Sequence, residues 1–472
     1  MHSKKRILIP INGQGTVVHL IRTGIVDDIA KYMQPILLLY WQDAILESEL
    51  SSKGYEFFYV EKPGFSPDYY RLYDQINTWY EVKLNPHKSI QITSSLHKKY
   101  KTRNRKLKSR LKEWYHQLLA YTAPGRSKHW IAKEEGLMKT EEPYLFYKQW
   151  MIAHEIDALF TVAPFLQEIN LMGRVLHHLG KPTIASIHSF DNVTKRKWQP
   201  FIFDHYFVWN TFNQQELITI YPALKHSSVS ITGAPQFDFH FKLEYVLPKQ
   251  EWLSMMGLPD DKKIILYAGG AAVHFPTEPQ YAATLCKAIE NGNIDQNAVI
   301  LLRSHPLCNI DRWKNFIGSS PVIFYYQPTH GVNKNNYSNV SITDIKILVS
   351  TLFYSDVHIS LCSSMAIDGS IFNKPQIAPY YDNVNKAGEP YLKSIYTQKH
   401  FQSIVASGVL QFADSEENLL SIVNKNLDKP QHISACKKCV EDIITFTDGQ
   451  STKRVAQSLA SLLINEDSTR HS

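Results

Sequence analysis

Two adjacent hydroxyls, Ser363 and Ser364, lie between a short apolar run and a compact helical segment in the C-terminal half of the chain. Residues 357–361 are typical of a buried strand and residues 365–372 of a helix. A helix N-terminus presents unpaired backbone N–H groups and the positive end of the helix dipole, so hydroxyls there can help to bind a pyrophosphate. Asp368 lies one turn further along the same face, within reach of a ribose. A plain helix cap with a solvated aspartate explains these residues equally well.

A second candidate loop brings cationic groups. Residues 263–267 predict a strand that runs into Gly269 and Gly270, where small residues let the backbone approach a ligand closely. The next predicted strand ends at Arg303 and His305. Parallel strands present their carboxyl ends at one edge of a sheet, where α/β proteins bind ligands. Arg303 and His305 are therefore expected to face the same crevice as the two serines, although a single His more often has a structural role.

The elements that must position these residues alternate regularly along the chain. Strand-like apolar runs are separated by helical stretches in both halves, which predicts parallel sheets covered by helices on both faces. The strands expected in the first half are residues 6–11, 36–41, 57–60, 158–162, 183–187, 206–209 and 230–232.

Together these segments resemble the donor-binding half of GT-B glycosyltransferases, in particular the branch that contains the CDP-glycerol glycerophosphotransferases and related surface-polysaccharide transferases. The resemblance rests mainly on RSHP at 303–306, SDVHISLCSSMAIDGSIFNKP at 355–375 and DGQSTKRVAQSL at 448–459. IHSFDNVTKRKW at 187–198 and VSITGAPQFDFHF at 229–241 add to it. The resemblance implies an α/β fold of the GT-B type, with two Rossmann-like domains whose parallel sheets face each other across a cleft.

This architecture gives the expected domain boundaries. Residues 1–245 are expected to form the acceptor-side domain, with a helical basic insertion at about 68–150. Residues 246–445 are expected to form the nucleotide-donor domain, and residues 446–472 a C-terminal helix that packs back on the first domain.

The resemblance also implies a catalytic base on the loop after residues 183–187, where related transferases keep one, often a His. Asp191 matches that position best, and His188 lies three residues earlier. An aspartate needs only to accept the proton of the acceptor hydroxyl as the new bond forms. A simple turn at Asp191, with Thr194 as a helix cap, is the competing interpretation.

The implied function is inverting transfer of a sugar from a nucleotide-activated donor to a surface-polysaccharide or glycolipid acceptor. A transferase that uses a CDP-polyol to deliver glycerol phosphate or ribitol phosphate fits the same motifs. A non-catalytic or epimerase-like GT-B protein would have the same sheets. No cofactor or metal is expected, because no Asp-x-Asp stands at a strand end and cationic side chains with oriented N–H dipoles can stabilise the leaving group.

Residues 97–133 carry twelve Lys or Arg against the single acid Glu113. A solvated helix face explains such a run, but its interleaved aromatic and leucine side chains also suit an anionic membrane surface. Nucleic-acid binding ranks last, because the net charge of +7 is mild and no nucleic-acid module is recognisable.

The remaining composition fits a cytoplasmic enzyme, peripheral at most to the membrane. A chain of 472 residues with 44% hydrophobic content can bury two sizeable cores, and no apolar run reaches membrane-spanning length. Cys436 and Cys439 have the spacing of half a zinc site, but no second pair completes it. Reduced cysteines agree with a reducing compartment.

Overall fold

The computed structural model describes residues 4–59, 64–80, 127–196, 198–272, 274–275, 277–305, 310–314, 317–318, 320–328, 340–381 and 391–470, together with Ser89, Leu111, Trp114, Tyr115 and Leu118. The chain divides into two compact units. The first comprises Met1–Gly233, Gln398–His400 and Thr452–Ser472, and the second comprises Ala234–Thr397 and Phe401–Ser451.

The first unit is built on a seven-stranded sheet in which every pair of neighbouring strands is parallel. Its strand order is β3-β2-β1-β4-β5-β6-β7. The strands are β1 (Arg6–Ile11), β2 (Gln34–Leu39), β3 (Glu56–Tyr59), β4 (Ala158–Thr161), β5 (Thr183–Ser186), β6 (His205–Val208) and β7 (Val229–Ile231). The central strands are apolar and buried along nearly their whole length, as expected for a parallel sheet covered on both faces.

Helices of the first unit alternate with these strands. They are α1 (Gln14–Val17), continued by a π-helical turn (Val18–Arg22), α2 (Ile25–Ala30), α3 (Ala44–Ser52), α4 (Pro67–Trp79), α5 (Ser127–Met138), α6 (Glu142–Ala153), α7 (Gln167–His178), α8 (Asn192–Lys195) and α9 (Thr211–Ile220). The last helix of the chain, Ser451–Arg470, also contributes to this unit. Its buried residues Val455, Leu459 and Leu463 belong to the same core cluster as Ile7 and Ile9 of β1.

The second unit is built on a six-stranded parallel sheet of order β10-β9-β8-β11-β12-β13. The strands are β8 (Lys263–Ala268), β9 (Ala298–Arg303), β10 (Ile323–Tyr326), β11 (Val357–Ser360), β12 (Gln376–Pro379) and β13 (Leu410–Ala413). The helices are α10 (Lys249–Met256), α11 (Pro279–Glu290), α12 (Ile342–Tyr354), α13 (Met365–Ile371), α14 (Tyr391–Tyr396), α15 (Gln402–Ser407), α16 (Glu416–Asp428) and α17 (Ile433–Ile443). The final helix, Ser451–Arg470, is α18.

The predicted α/β class with two parallel sheets is confirmed. The second unit begins at Ala234, before the expected boundary at 245/246. The reason is that the 3₁₀ segment Pro235–Phe241 packs on α13, where His240 meets Asp368. The basic segment 97–133 lies almost entirely outside the described residues, so its membrane-surface interpretation stays a prediction.

Candidate functional site

Three loops of the second unit meet at the carboxyl edge of its sheet. Ala268, the last residue of β8, pairs with Arg303 of β9 on one side and with Ser360 of β11 on the other. The loops that follow these three strands therefore leave the sheet side by side. The loop after β8 carries the two glycines, Arg303 ends β9 with His305 just beyond it, and the loop after β11 carries the two serines.

Arg303 presents a cation at this edge. Its Nε is buried, and it has no hydrogen-bond partner within the residues that the structure describes. Burial lowers the pKa of Arg303, and Tyr326 and Asp368 act in the opposite direction. The guanidinium nonetheless stays charged at neutral pH, because its ordinary pKa is so high. A partly buried guanidinium with an unused donor is well suited to bind a phosphate. His305 follows on the same loop and is partly exposed.

The two serines differ in what their hydroxyls do. The Ser363 Oγ accepts a hydrogen bond from the Met365 backbone N at 3.2 Å. Ser364 occupies the N-cap position of α13, but its side chain makes no capping bond and is exposed. The predicted helix at 365–372 is observed as Met365–Ile371. The Ser364 hydroxyl is thus the more accessible of the two.

Asp368 has a partner that the sequence did not reveal. Its Oδ1 lies 3.2 Å from Nε2 of His240, and both side chains are largely buried. His240 lies in the 229–241 stretch, where no local pattern marks it as a site residue. The carboxylate that was expected to contact a ribose thus lies beside a buried imidazole with which it makes no regular hydrogen bond, and the ribose contact stays a prediction.

The two glycines of the β8 loop have a packing explanation. The Gly269 N–H donates to the Arg303 carbonyl at 2.9 Å, and the Gly270 N–H donates to the Glu278 carboxylate at 2.9 and 3.0 Å. A Cβ at Gly270 would stand 2.6 Å from Cδ2 of Phe275. Both N–H groups are thus used inside the fold. Their predicted role in donor binding is untested, and their conformation does not require a ligand.

The candidate bases lie in the first unit, on the loop after β5. The His188 ring lies 5.0 Å from the fully buried ring of His19, centroid to centroid. A Cβ on Gly15, in α1, would stand 3.2 Å from His188 Nε2. Burial, helped by the charge of Arg196, lowers the pKa of His188 to about 4, while Asp191 opposes the shift. His188 is therefore a neutral imidazole at neutral pH, and burial has lowered its affinity for a proton.

Asp191 is held by several neighbours. Its carboxylate accepts hydrogen bonds from Lys195 Nζ at 3.2 Å and from Asn192 Nδ2 at 3.1 Å. Burial alone would raise the pKa of Asp191, but Lys195, the Ser189 hydroxyl and His400 together keep it below its usual value. A carboxylate that is stabilised in its ionised form is a weak proton acceptor.

Two further residues near this loop were missed by the sequence analysis. Burial raises the pKa of Glu216 to about 7, with Asp191 adding to the shift and Asn213 and Lys399 opposing it. Burial also lowers the pKa of His400 to about 4. Glu216 comes from α9, and His400 comes from the short return of the chain to the first unit. No local motif marks either residue, because only the folded chain brings them to Asp191.

Within the described parts of the chain, no three His, Cys, Asp or Glu side chains are grouped so that they could hold a metal ion. The described helices include none that is both long and apolar enough to cross a membrane.

A family model described as CDP-glycerol:poly(glycerophosphate) glycerophosphotransferase matches residues 43–461, which is most of the chain. The chain belongs to this glycerophosphotransferase family. The resemblance that was read from the strand-end motifs is thereby confirmed.

Among curated members related to the chain are two teichoic acid ribitol-phosphate polymerases of Staphylococcus aureus. TarL is 24% identical over 243 residues, which cover 50% of this chain and 38% of TarL. TarK is 23% identical over 243 residues, which cover 50% of this chain and 41% of TarK. The matched stretch therefore spans less than half the length of either polymerase.

Solved structures with the same fold include a UDP complex of MnaA from S. aureus, with a TM-score of 0.55 and 11% identity over 97% of each chain. The UDP-GlcNAc 2-epimerase from Methanocaldococcus jannaschii has a TM-score of 0.53 and 10% identity, over 96% of this chain and 99% of its own. At this identity the likeness shows the fold alone.

Proposed function

We propose that the chain transfers a polyol phosphate from a CDP-linked donor to a hydroxyl group of a cell-surface polymer. The observation that carries the proposal is the family match over residues 43–461, since the family's description names CDP-glycerol and poly(glycerophosphate). The two ribitol-phosphate polymerases of S. aureus extend the candidate polyols to ribitol.

Transfer of a sugar from a nucleotide sugar, which the sequence motifs alone placed first, becomes the second candidate. The two structural neighbours support the fold at 10–11% identity, and they do not indicate which donor this chain uses. An epimerase-like activity likewise rests on similarity of fold alone. Family membership therefore favours phosphoryl transfer over glycosyl transfer.

The two chemistries release different nucleotides. In polyol-phosphate transfer the acceptor oxygen attacks the phosphorus that carries the polyol. A bond forms between them, the bond from that phosphorus to the bridging oxygen breaks, and CMP leaves. In glycosyl transfer the acceptor attacks the anomeric carbon, and a nucleoside diphosphate leaves from a UDP-sugar. The released nucleotide thus identifies the reaction.

His188 is the proposed base of this reaction, with Asp191 in a positioning role. His188 is neutral, whereas the Asp191 carboxylate is committed to Lys195 and Asn192. An anionic donor close to His188 would raise its pKa from about 4 toward neutrality, because a nearby negative charge favours the imidazolium. The proton of the acceptor hydroxyl would then move to the imidazole as the new P–O bond forms.

Donor phosphates are assigned to Arg303, with His305 and the hydroxyls of Ser363 and Ser364 as further ligands. Phosphoryl transfer depends on positioning and on neutralising the charge of the leaving group, which a guanidinium can supply. The proposal needs no metal, so activity should survive EDTA.

The test combines donor choice, product and variants. Purified protein is incubated with CDP-glycerol, CDP-ribitol or UDP-GlcNAc and with a membrane lipid extract from the source cells, and the released nucleotides are separated by chromatography. CMP from a CDP-polyol is expected. His188→Ala should lower turnover by roughly 10²–10⁴-fold, the usual contribution of a positioned base. Asp191→Asn should have the smaller effect.

Arg303→Gln should weaken CDP-polyol binding, measured by calorimetry, by a factor of roughly 10–100, since a charge-assisted hydrogen bond contributes about 1.5–3 kcal/mol. Lys249→Gln is the matched control, because Lys249 is a solvent-exposed lysine of the same unit. UDP as the sole product, or loss of turnover with EDTA that Mg²⁺ restores, would refute the proposal.

A further inference from the structure

The first unit contains a cavity of about 360 Å³ that no predicted site residue lines. Asn12 follows β1, Tyr40 follows β2, and Gln167 and Glu168 begin α7 after β4. Since β2, β1 and β4 are adjacent in the sheet, the cavity lies at the carboxyl edge, where α/β folds bind ligands. Its size is at the lower end of small-molecule sites, which span roughly 300–1,000 Å³. The cavity therefore has room for one small unit and not for a polymer.

The polar groups of the cavity both donate and accept hydrogen bonds. The Tyr147 hydroxyl donates to Oε1 of Glu168. The charge of the same carboxylate also acts on the buried Tyr40 hydroxyl. Burial and the Glu168 charge raise the pKa of Tyr40 well above its usual value, so this hydroxyl stays protonated. The side-chain amides of Asn12 and Gln167 add a carbonyl and an NH₂ each.

Aromatic and aliphatic side chains complete the wall. Phe65, Tyr70 and Leu171 line the cavity, and Phe65 packs edge-on against Tyr70 at 5.9 Å between ring centroids. Apolar walls with a few placed polar groups are typical of sites for small uncharged ligands.

The charges of the described lining residues favour neutral ligands. No Lys, Arg or His is among the described residues that line the cavity, and Glu168 is the sole charged one. A phosphate would meet that carboxylate without a compensating cation. A cation would pair with Glu168 and the amide carbonyls, but it would leave the NH₂ groups of Asn12 and Gln167 without an acceptor. The hydroxyl groups of a ligand can form hydrogen bonds with every polar side chain of the cavity, because a hydroxyl both donates and accepts.

We propose that this cavity binds a neutral polyhydroxylated unit of the acceptor, a sugar ring or an unphosphorylated polyol. The assignment rests on the proposed transferase function, which requires an acceptor. It is supported by position, since Asn12 lies three residues before Gly15 of α1, which faces the candidate base His188. The cavity and the base are thus linked by the turn from β1 into α1.

Ligand-observed NMR titrations of the full chain, without donor, test this assignment. The probes are ribitol and N-acetylglucosamine as neutral ligands, ribitol 5-phosphate as the anion and choline as the cation. At least one neutral probe is expected to bind, and Glu168→Gln should weaken it at least ten-fold. Tyr40→Phe serves as a second variant if Glu168→Gln does not fold by circular dichroism.

Tyr144→Phe is the matched control. Tyr144 lies on α6 like Tyr147, but its hydroxyl bonds His178 Nδ1 at 2.8 Å and does not line the cavity. Unchanged binding in this control supports the assignment. Preference for choline, equal binding of ribitol and its phosphate, equal losses in Tyr144→Phe, or no binding of either neutral probe would overturn it. Because no donor or turnover enters the measurement, a failure of transfer activity leaves this result independent.

Discussion

Three ionisable side chains around the loop after β5 respond differently to similar burial. His188 is held neutral by burial and a nearby arginine, whereas Asp191 is held ionised by Lys195. Glu216, with fewer donors around it, has its pKa raised to about 7. The residue types alone could not predict which of these three groups is charged, because the neighbours decide which protonation form of each group is stabilised. We accordingly propose His188, rather than Asp191, as the base.

Glu216→Gln should stabilise the protein at alkaline pH. The folded state raises the pKa of this carboxyl from an ordinary 4.5 to about 7, so ionisation disfavours the folded state. Below pH 4.5 the group is protonated in both states and has no effect. Stability is lost as the pH rises from 4.5 to 7, and the full effect, about 1–3 kcal/mol for a partly exposed group, is present above pH 7. Urea unfolding of both proteins at pH 5 and pH 8 measures the difference. A gain of equal size at both pH values would contradict the assigned cause.

The short helix α13 is positioned by close packing on its own sheet. Gly369 lies against His358 of β11 and Gln376 of β12, so a Cβ there would clash with both side chains. This contact holds the preceding loop, with Ser363 and Ser364, next to the end of β11. The sequence predicted the strand, loop and helix because apolar runs and stop signals are local features. It could not predict the His240–Asp368 pair or the packing of Gly270 on Phe275, since these depend on contacts that form only after folding.

Gly369→Ala should destabilise the protein by roughly 1–3 kcal/mol, the usual range for an overpacked site. Gly136→Ala is the matched control, because Gly136 lies in helix α5 with no atom near its would-be Cβ. Alanine there should stabilise by roughly 0.5–1 kcal/mol through helix propensity. A lower melting temperature for Gly369→Ala and a higher one for Gly136→Ala support the packing account. A shift in the same direction in both variants would refute it.

At the scale of the whole chain, the two units are not contiguous in sequence. The first unit is completed by Gln398–His400 and Thr452–Ser472, which follow most of the second unit. The alternation of strands and helices predicted both sheets, because parallel strands buried on both faces leave continuous apolar runs. No comparable sequence pattern predicts that residues 398–400 return to the first unit. This return brings His400 to Asp191.

Leu459→Ala should destabilise the protein by about 2–5 kcal/mol, as expected for truncating a fully buried leucine. Ile464, on the same helix, is 48% exposed. Ile464→Ala should change stability by less than about 0.5 kcal/mol. Denaturant titrations followed by tryptophan fluorescence compare the two, and similar losses would mean that α18 does not contribute to the core through this face.

The position of α18 has a consequence for biosynthesis. After β1 and β2 have emerged from the ribosome, roughly 400 more codons must be translated before Leu463 emerges. This takes about 20–80 s at ordinary elongation rates. Until then the apolar face that α18 covers is exposed on the nascent chain, as a surface for chaperones or for aggregation. The second unit's residues, by contrast, are all translated before the first unit can close. The first unit is therefore expected to complete its folding last. Loss of α18 by premature termination would leave the sheet of the first unit incompletely covered.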